Sequence, residues 1–262
     1  MSNNTERHIL VTAGASGIGR CIAEAFLNSG ARVHVVDVDQ DALKEFERCF
    51  PEAVATEADV ADEKAVDGVF EKQSALGDLS VLVNCAGIKG PTEPVDSMDF
   101  DEWRRCIAVN LDAAFLCCRR AIPMLKRTAT GHQRSSIINI SSTAGWHGYP
   151  YRSPYASAKW GVIGLTKSLA MELGAEGVRV NAVCPGTVDG DRMDRVIRAE
   201  AEQKGVAESE IREAYTRGCS LREMISGSDI ADTVFFLASD AAGKITGQAI
   251  NVDGHLESFA VS

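Results

Sequence analysis

The sequence predicts an α/β fold in which helices wrap a parallel sheet. Three observations carry that expectation. Short β-branched runs alternate with helical stretches along almost the whole chain, the pattern of successive βαβ units. The first strand runs straight into a glycine-rich turn, A-G-A-S-G-I-G at 13–19, and then into a helix. The chain has 262 residues, 45% hydrophobic and 24% charged, enough for one sizeable core, with no internal repeat or Pro/Gly-rich linker to divide it. A single domain over 1–262 is expected.

The elements follow in order. Residues 8–12 (H-I-L-V-T) are a buried strand, and the helix after the turn shows Ile22, Ala23, Phe26 and Leu27 at helical spacing before stopping at Gly30. Residues 32–38 form the second strand, broken by Asp37; a helix over 41–50 and a strand near 53–56 come next. A helix over 63–76 and a strand over 80–84 continue the alternation. The periodicity then predicts one long helix from about 99 to 126, with Asp99 and Glu102 spaced like a capping box. A strand over 136–140, a helix over 155–172 and a strand over 179–183 restore the rhythm. The charged segment of about 189–217 interrupts it like an insertion, before a helix over 228–238 and a last strand over 249–252.

Composition excludes several classes. A net charge of −10 argues against a nucleic-acid or acidic-membrane partner. The eight cysteines include no C-x-x-C pair and the histidines do not cluster near them, so no metal is expected. They sit mostly in apolar runs, as small core residues do. The first seven residues are polar and lead directly to a strand, so no signal peptide is expected. No apolar run approaches the roughly 18 residues of a membrane helix. A cytoplasmic protein with reduced thiols is the expectation.

Five groups of residues can carry chemistry. Gly14, Gly17 and Gly19 let the backbone turn tightly and approach a ligand, and the helix N-terminus behind them offers free amides to a diphosphate. Asp37 ends the second strand 18 residues beyond Gly19, where a carboxylate can accept from both hydroxyls of an adenosine ribose and repel a 2′-phosphate. Neither Ser16 nor Val38 supplies a basic residue there; a helix cap is the plainer use of such a carboxylate, and Asp39 suits that better. Asn84-Cys85-Ala86-Gly87 ends the fourth strand with small residues that admit a ligand, or simply turn the chain. Asn110 lies in the apolar stretch A-V-N-L-D, where a buried amide must find partners, in a core network or in a proton path. Finally, Tyr155 and Lys159 are four apart, on one helical face, with the hydroxyl of Ser142 thirteen positions ahead. Tyrosine and lysine at this spacing also occur by chance on solvated helices. A free phenol has a pKa of roughly 10, and a neighbouring ammonium favours the phenolate, so Tyr155 can exchange a proton with an alcohol or carbonyl oxygen.

The joint pattern from residue 8 to 253 resembles the short-chain dehydrogenase/reductase family in its form of about 250 residues. The resemblance rests on the glycine turn, Asp37, Asp59-Val60, Asn84-Cys85-Ala86-Gly87, Asn110, Ser142, Tyr155-x-x-x-Lys159 and Pro185-Gly186, in that order. It implies a Rossmann-like, doubly wound sheet of seven parallel strands and an NAD cofactor. The turn residues Gly14, Ser16, Gly17, Ile18 and Gly19 would hold that cofactor, together with Asp37, Asp59, Val60, Asn84, Ala86, Gly87, Pro185, Gly186 and the backbone of Val188. Tyr155 would be the general acid/base, and Lys159 would tune it and hold the nicotinamide ribose. Ser142 would orient the substrate oxygen, and Asn110 would hold a water between Lys159 and solvent. Homotetramers are common in the family, through the helices ending near 126 and 172 and the last strand. Two positions depart from the pattern: Ala13 replaces a glycine, and Gly190 replaces a threonine.

The expected activity is NAD-dependent hydride exchange with a secondary alcohol or ketone; a dinucleotide-binding regulator without turnover is the alternative. The segment of about 189–217 lies where the family closes a lid over substrate. Within it Asp191 precedes Arg195 by four and Asp194 precedes Arg198 by four, the order favoured for intrahelical ion pairs, which leaves Arg192. Arg152 and His147 lie in the loop before Tyr155. Arg152, with Arg192, would suit a small polar substrate bearing an anionic group, against a neutral polyol as the other option.

Overall fold

A computed structural model describes residues 7–129 and 135–256, without the side chains of residues 191, 192 and 203. Seven strands form one parallel sheet: β1 (His8–Thr12), β2 (Arg32–Asp37), β3 (Val54–Glu57), β4 (Val81–Asn84), β5 (Ser135–Ile140), β6 (Val178–Pro185) and β7 (Ala249–Val252). Their order is β3-β2-β1-β4-β5-β6-β7, the doubly wound, Rossmann-like arrangement. The winding reverses between β1 and β4. A crevice therefore opens past the carboxyl ends of those two strands, where sheets of this kind bind ligands.

Both faces of the sheet are covered, which explains why the strands read as continuous apolar runs. On one face α1 (Gly17–Asn28) and α9 (Gly227–Ala238) bury Ile22, Phe26, Ile230 and Val234 against Ile9, Val11 and Val83. On the other, α3 (Glu63–Leu76), α5 (Ala113–Thr128) and α6 (Ser153–Leu173) pack Phe70, Leu125 and Leu169 on Leu10, Leu82 and Ile137. Helix α2 (Gln40–Cys49) covers the β2 and β3 edge; Asp39 caps it by accepting from the amides of Asp41 and Ala42, as its position suggested.

Two expectations change. The helix predicted over 99–126 is present, helical from residue 100 to 128, but it is not α-helical throughout. Asp99 caps α4 (Phe100–Ile107), but residues Ala108–Asp112 form a π-helical turn before α5 begins. The extra residue per turn frees a carbonyl, and the side-chain amide of Asn110 fills the gap by donating to Cys106 O at 2.9 Å. The second change concerns the charged segment, which folds as two helices, α7 (Asp191–Lys204) and α8 (Glu208–Arg217). They share a small core of Ile197, Ala201 and Ile211. Asp194 pairs with Arg212 of α8 rather than with Arg198, which lies 3.6 Å from Glu208. Packing the two helices together gives Asp194 and Arg198 partners on the other helix.

At the opposite end of the sheet the side chain of Arg179 is buried. Its guanidinium donates to Leu237 O at 2.6 Å and Ser239 O at 3.2 Å, closing the carbonyl end of α9. Arg7 donates to Ala238 O at 2.8 Å beside it.

Candidate active site

The glycine turn explains its own composition. Gly17 sits at φ +53°, and a Cβ on Gly19 would fall 2.0 Å from Ala13 O. Gly14 packs on β2, where a Cβ would meet Val35 Cγ1 at 2.8 Å. Ala13, the departure from the expected glycine, is itself held at φ 49°, in the left-handed region. Ser16 is the N-cap of α1 but its hydroxyl makes no cap bond, so the first amides of the helix face the crevice without a side-chain acceptor. A diphosphate fits that end, and Ile18 sits in the first turn behind it.

Asp37 is buried at the end of β2. Its Oδ2 accepts from Ala15 N at 3.2 Å, and its Oδ1 accepts from Val38 N at 2.8 Å and Asp39 N at 3.1 Å. The carboxylate thus ties the glycine turn to β2, and of its roughly four lone-pair sites one, on Oδ2, is left for a ribose hydroxyl. Asp59 accepts from Ala61 N at 3.0 Å and pairs with Arg105 of α4 at 2.9 Å, while Val60 is buried in the core.

At the end of β4, Asn84 donates to Asn139 Oδ1 at 2.8 Å. The amides of Cys85 and Ala86 both donate to Thr12 Oγ1 at 3.0 Å. Thr12 therefore joins the two sides of the crevice, a role that a threonine at a strand end does not announce in sequence. Gly87 is needed because Asn110 and Lys159 converge on it: a Cβ there would lie 2.8 Å from Asn110 Oδ1 and 3.4 Å from Lys159 Nζ. Asn110 Nδ2 also donates to Ile88 O at 3.0 Å, whereas its buried Oδ1 has no partner among the described residues. A core bond and an unspent acceptor thus occur on one amide.

Ser142 lies two residues beyond the end of β5 and accepts from Ala144 N at 3.1 Å, capping a short 3₁₀ turn. Tyr155 lies in the first turn of α6, behind Pro154. Lys159, one turn on, is 4% exposed, donates to Ile140 O at 2.9 Å and holds its Nζ 5.7 Å from the Tyr155 ring centroid. The helical spacing seen in sequence is thus a physical pair, with the ammonium fixed beside the strand end that bears Ser142.

Beyond β6, Gly186 lies against Asp253, and Val188 bridges to Ile225 at the base of α7. Gly190, at φ +134°, starts α7; a threonine there would be strained. Arg152 donates to Lys89 O at 2.7 Å and lies over the rings of Tyr149 and Tyr155. His147 is in the same loop, its amide bonded to Thr143 O at 3.1 Å. The side chain of Arg192 lies outside the described residues. Burial pushes the Cys85 thiol up to about 12 and that of Cys184, beside Ser142, up to about 11, so neither is a ready nucleophile. Among the described residues no three metal-ligating side chains cluster, and no helix is long and apolar enough to cross a membrane.

Comparison with known proteins agrees with this fold. Residues 12–256 match the family described as enoyl-(acyl carrier protein) reductase. The chain is 37% identical to a 3-oxoacyl-[acyl-carrier-protein] reductase of Staphylococcus aureus, over 94% of this chain and 96% of that protein. It is 34% identical to a probable galactose dehydrogenase of Rhizobium meliloti, over 95% and 94%. A solved actinorhodin polyketide ketoreductase variant with NADPH superposes with a TM-score of 0.89 at 29% identity, covering 99% of this chain and all of that one (100%). The chain belongs to the short-chain dehydrogenase/reductase family, oxidoreductases that use a nicotinamide cofactor on alcohol and carbonyl substrates.

Proposed function

We infer that the protein is an NAD(H)-dependent secondary alcohol dehydrogenase or ketone reductase with Tyr155 as its proton-transfer group. The observation that carries this reading is the buried Lys159 ammonium, fixed by Ile140 O one turn from Tyr155. The bound nicotinamide would supply or accept the hydride at the substrate carbon. The chain's own residues manage the proton. In the oxidative direction the substrate hydroxyl gives its proton to Tyr155 Oη; in reduction Tyr155 returns it to the carbonyl oxygen. Ser142 orients that oxygen, Lys159 offsets the phenolate charge and holds the ribose, and the free Oδ1 of Asn110 accepts from a water beside Lys159.

The NAD preference rests on Asp37, whose buried carboxylate stands where an adenosine ribose would end. A 2′-phosphate would meet that charge with no Lys or Arg at positions 16 or 38 to offset it. The polyketide ketoreductase was solved with NADPH, so the comparison of cofactors is a real test. Purified protein is incubated with NADH or NADPH and a panel of ketones, sugars and keto acids, and loss of reduced-cofactor absorbance is followed. Turnover with a higher kcat/KM for NADH is expected. Preference for NADPH would overturn the cofactor assignment, and NADH binding without any turnover would favour the non-catalytic regulator.

The substrate would be small and polar, held between the 147–152 loop and the α7–α8 lid. The surface of α5 and α6 supports assembly: Phe115, Trp160 and Met171 are 49%, 50% and 87% exposed there. Such side chains on adjacent helices support a homotetramer closed by helix packing, checked by light scattering.

A further inference from the structure

The guanidinium of Arg152 has a place that neither cofactor binding nor proton transfer explains. Arg152 immediately precedes α6, three residues ahead of Tyr155. Its Cζ lies 5.0 Å from the ring centroid of Tyr149 and 4.9 Å from that of Tyr155. One terminal nitrogen donates to Lys89 O at 2.7 Å, in the loop that continues from Gly87. The same two loops are tied again where Glu93 N donates to Tyr151 O at 2.9 Å. No carboxylate among the described residues pairs with Arg152. Its Nε is buried without an acceptor. The side chain is therefore held by two aromatic rings and by one carbonyl, not by a counter-charge.

That arrangement has a mechanical consequence. The terminal torsion of a tyrosine is broad and two-fold, so a ring at the mouth of a crevice needs a flat neighbour to hold it. The ammonium of Lys159, 5.7 Å from the same centroid, is a point charge on a flexible stem and does not fix a plane. A guanidinium does, because it is planar, stacks on aromatic faces and keeps an edge free to bond. Arg152 also links the ring to Lys89, two residues beyond the Gly87 on which Asn110 and Lys159 converge.

We propose that Arg152 is a positioning residue for Tyr155: its plane orients the tyrosine ring, and its bond to Lys89 O locks the loop after β4 to the start of the catalytic helix. This rests on Tyr155 being the proton-transfer group. It differs from capture of a substrate anion by Arg152, which would act on affinity and only for charged substrates.

Arg152→Ala, Arg152→Lys and Tyr149→Leu are compared with wild type on one neutral and one anionic substrate from the panel, with NADH affinity measured by fluorescence titration. Arg152→Ala should lower kcat by roughly tenfold or more on both substrates, since displacement of reacting groups by about 1 Å costs up to about a hundredfold. NADH affinity should stay within about twofold, well under the tenfold change that 1.4 kcal/mol represents. Arg152→Lys should restore little, because the ammonium keeps the charge but not the plane. Tyr149→Leu, which opens one side of the stack, should lower kcat in the same direction while sparing the arginine. A loss confined to KM for the anionic substrate, unchanged kcat, or full rescue by lysine would overturn the proposal. A crystal structure of Arg152→Ala with NADH gives an answer independent of turnover. Displacement of the Tyr155 ring and the Lys89 loop supports the proposal, and superposition on the wild-type positions refutes it. If wild type turns over no substrate, the oxidoreductase reading fails separately from this one.

Discussion

At the scale of single residues the site separates groups that move protons from groups that shape the crevice. Tyr155→Phe removes one hydroxyl and leaves the packing of α6 intact. It should lower kcat by about 10² to 10⁴ while NADH still binds, as general acid–base groups do. Retention of more than about a tenth of wild-type kcat, with chemistry rate-limiting, would refute the assignment. Ala13 is a shaping residue at a cost. Its φ of 49° is the left-handed region, which disfavours an L side chain by about 1–2 kcal/mol. Glycine would remove that strain but give back roughly 0.4–1 kcal/mol through a more disordered unfolded chain. Ala13→Gly should therefore stabilise by up to about 1.6 kcal/mol, with Tm rising by about 2–4 °C for each kcal/mol in a chain of this size. A fall in Tm on differential scanning calorimetry would mean that the alanine methyl makes contacts that outweigh its strain.

At the scale of elements, buried carbonyl groups decide more than surface charge. Arg119–Glu63 and Arg127–Asp78 join α5 to α3 and its end through exposed pairs, each worth roughly 0–1 kcal/mol. Arg179 is different. It is 2% exposed and its cation is offset by the carbonyls that end α9. Arg179→Met keeps apolar bulk but leaves Leu237 O without its donor and Ser239 O with the amide of Ala242 alone. Charged hydrogen bonds of this kind contribute about 1.5–3 kcal/mol, so urea unfolding should show a loss of about that size. A loss under about 0.5 kcal/mol would mean that Arg7, bound to Ala238 O, closes the helix end alone. These elements also show what sequence can and cannot carry. The strands and the Tyr155–Lys159 pair were legible because both rest on short, regular spacing. The π turn at Ala108–Asp112 was not, because no Gly or Pro marks it and the side chain that satisfies it belongs to the same apolar run. Arg212 was missed for another reason. Its partners Asp189 and Asp194 become neighbours only when α8 folds against α7. Thr12 and Arg152 have roles set by strands and loops far away in the chain.

At the scale of the whole molecule, one buried imidazole under the sheet edge makes stability depend on acid. His34 on β2 is buried between β3 and α3, with Nδ1 2.9 Å from Gln73 Oε1 and Nε2 2.8 Å from Thr56 Oγ1. Gln73 Nε2 donates to Gly77 O, so its Oε1 is the acceptor facing His34 and the neutral ring carries its proton on Nδ1. Thr56 Oγ1 then donates to Nε2 while accepting from Lys72 at 2.9 Å. Burial is the main cause that lowers the His34 pKa from 6.5 to about 4; the Gln73 bond opposes it and the charge on Lys72 adds to it. The sign follows from proton counts. Between pH 6.5 and about 4 the unfolded chain binds a proton on His34 and the folded one does not, so stability falls as pH drops through that window. Below about pH 4 both states are protonated and the slope from this group ends. The full effect is about 3 kcal/mol, at 1.36 kcal/mol per pKa unit. A glutamine at this position cannot titrate. Thus His34→Gln, although it weakens the protein near neutrality by leaving a less well-fitted side chain, should flatten the dependence of unfolding free energy on pH between 6.5 and 4. Urea unfolding across that range is the measurement, and a variant slope equal to that of wild type would show that other groups govern the acid limb.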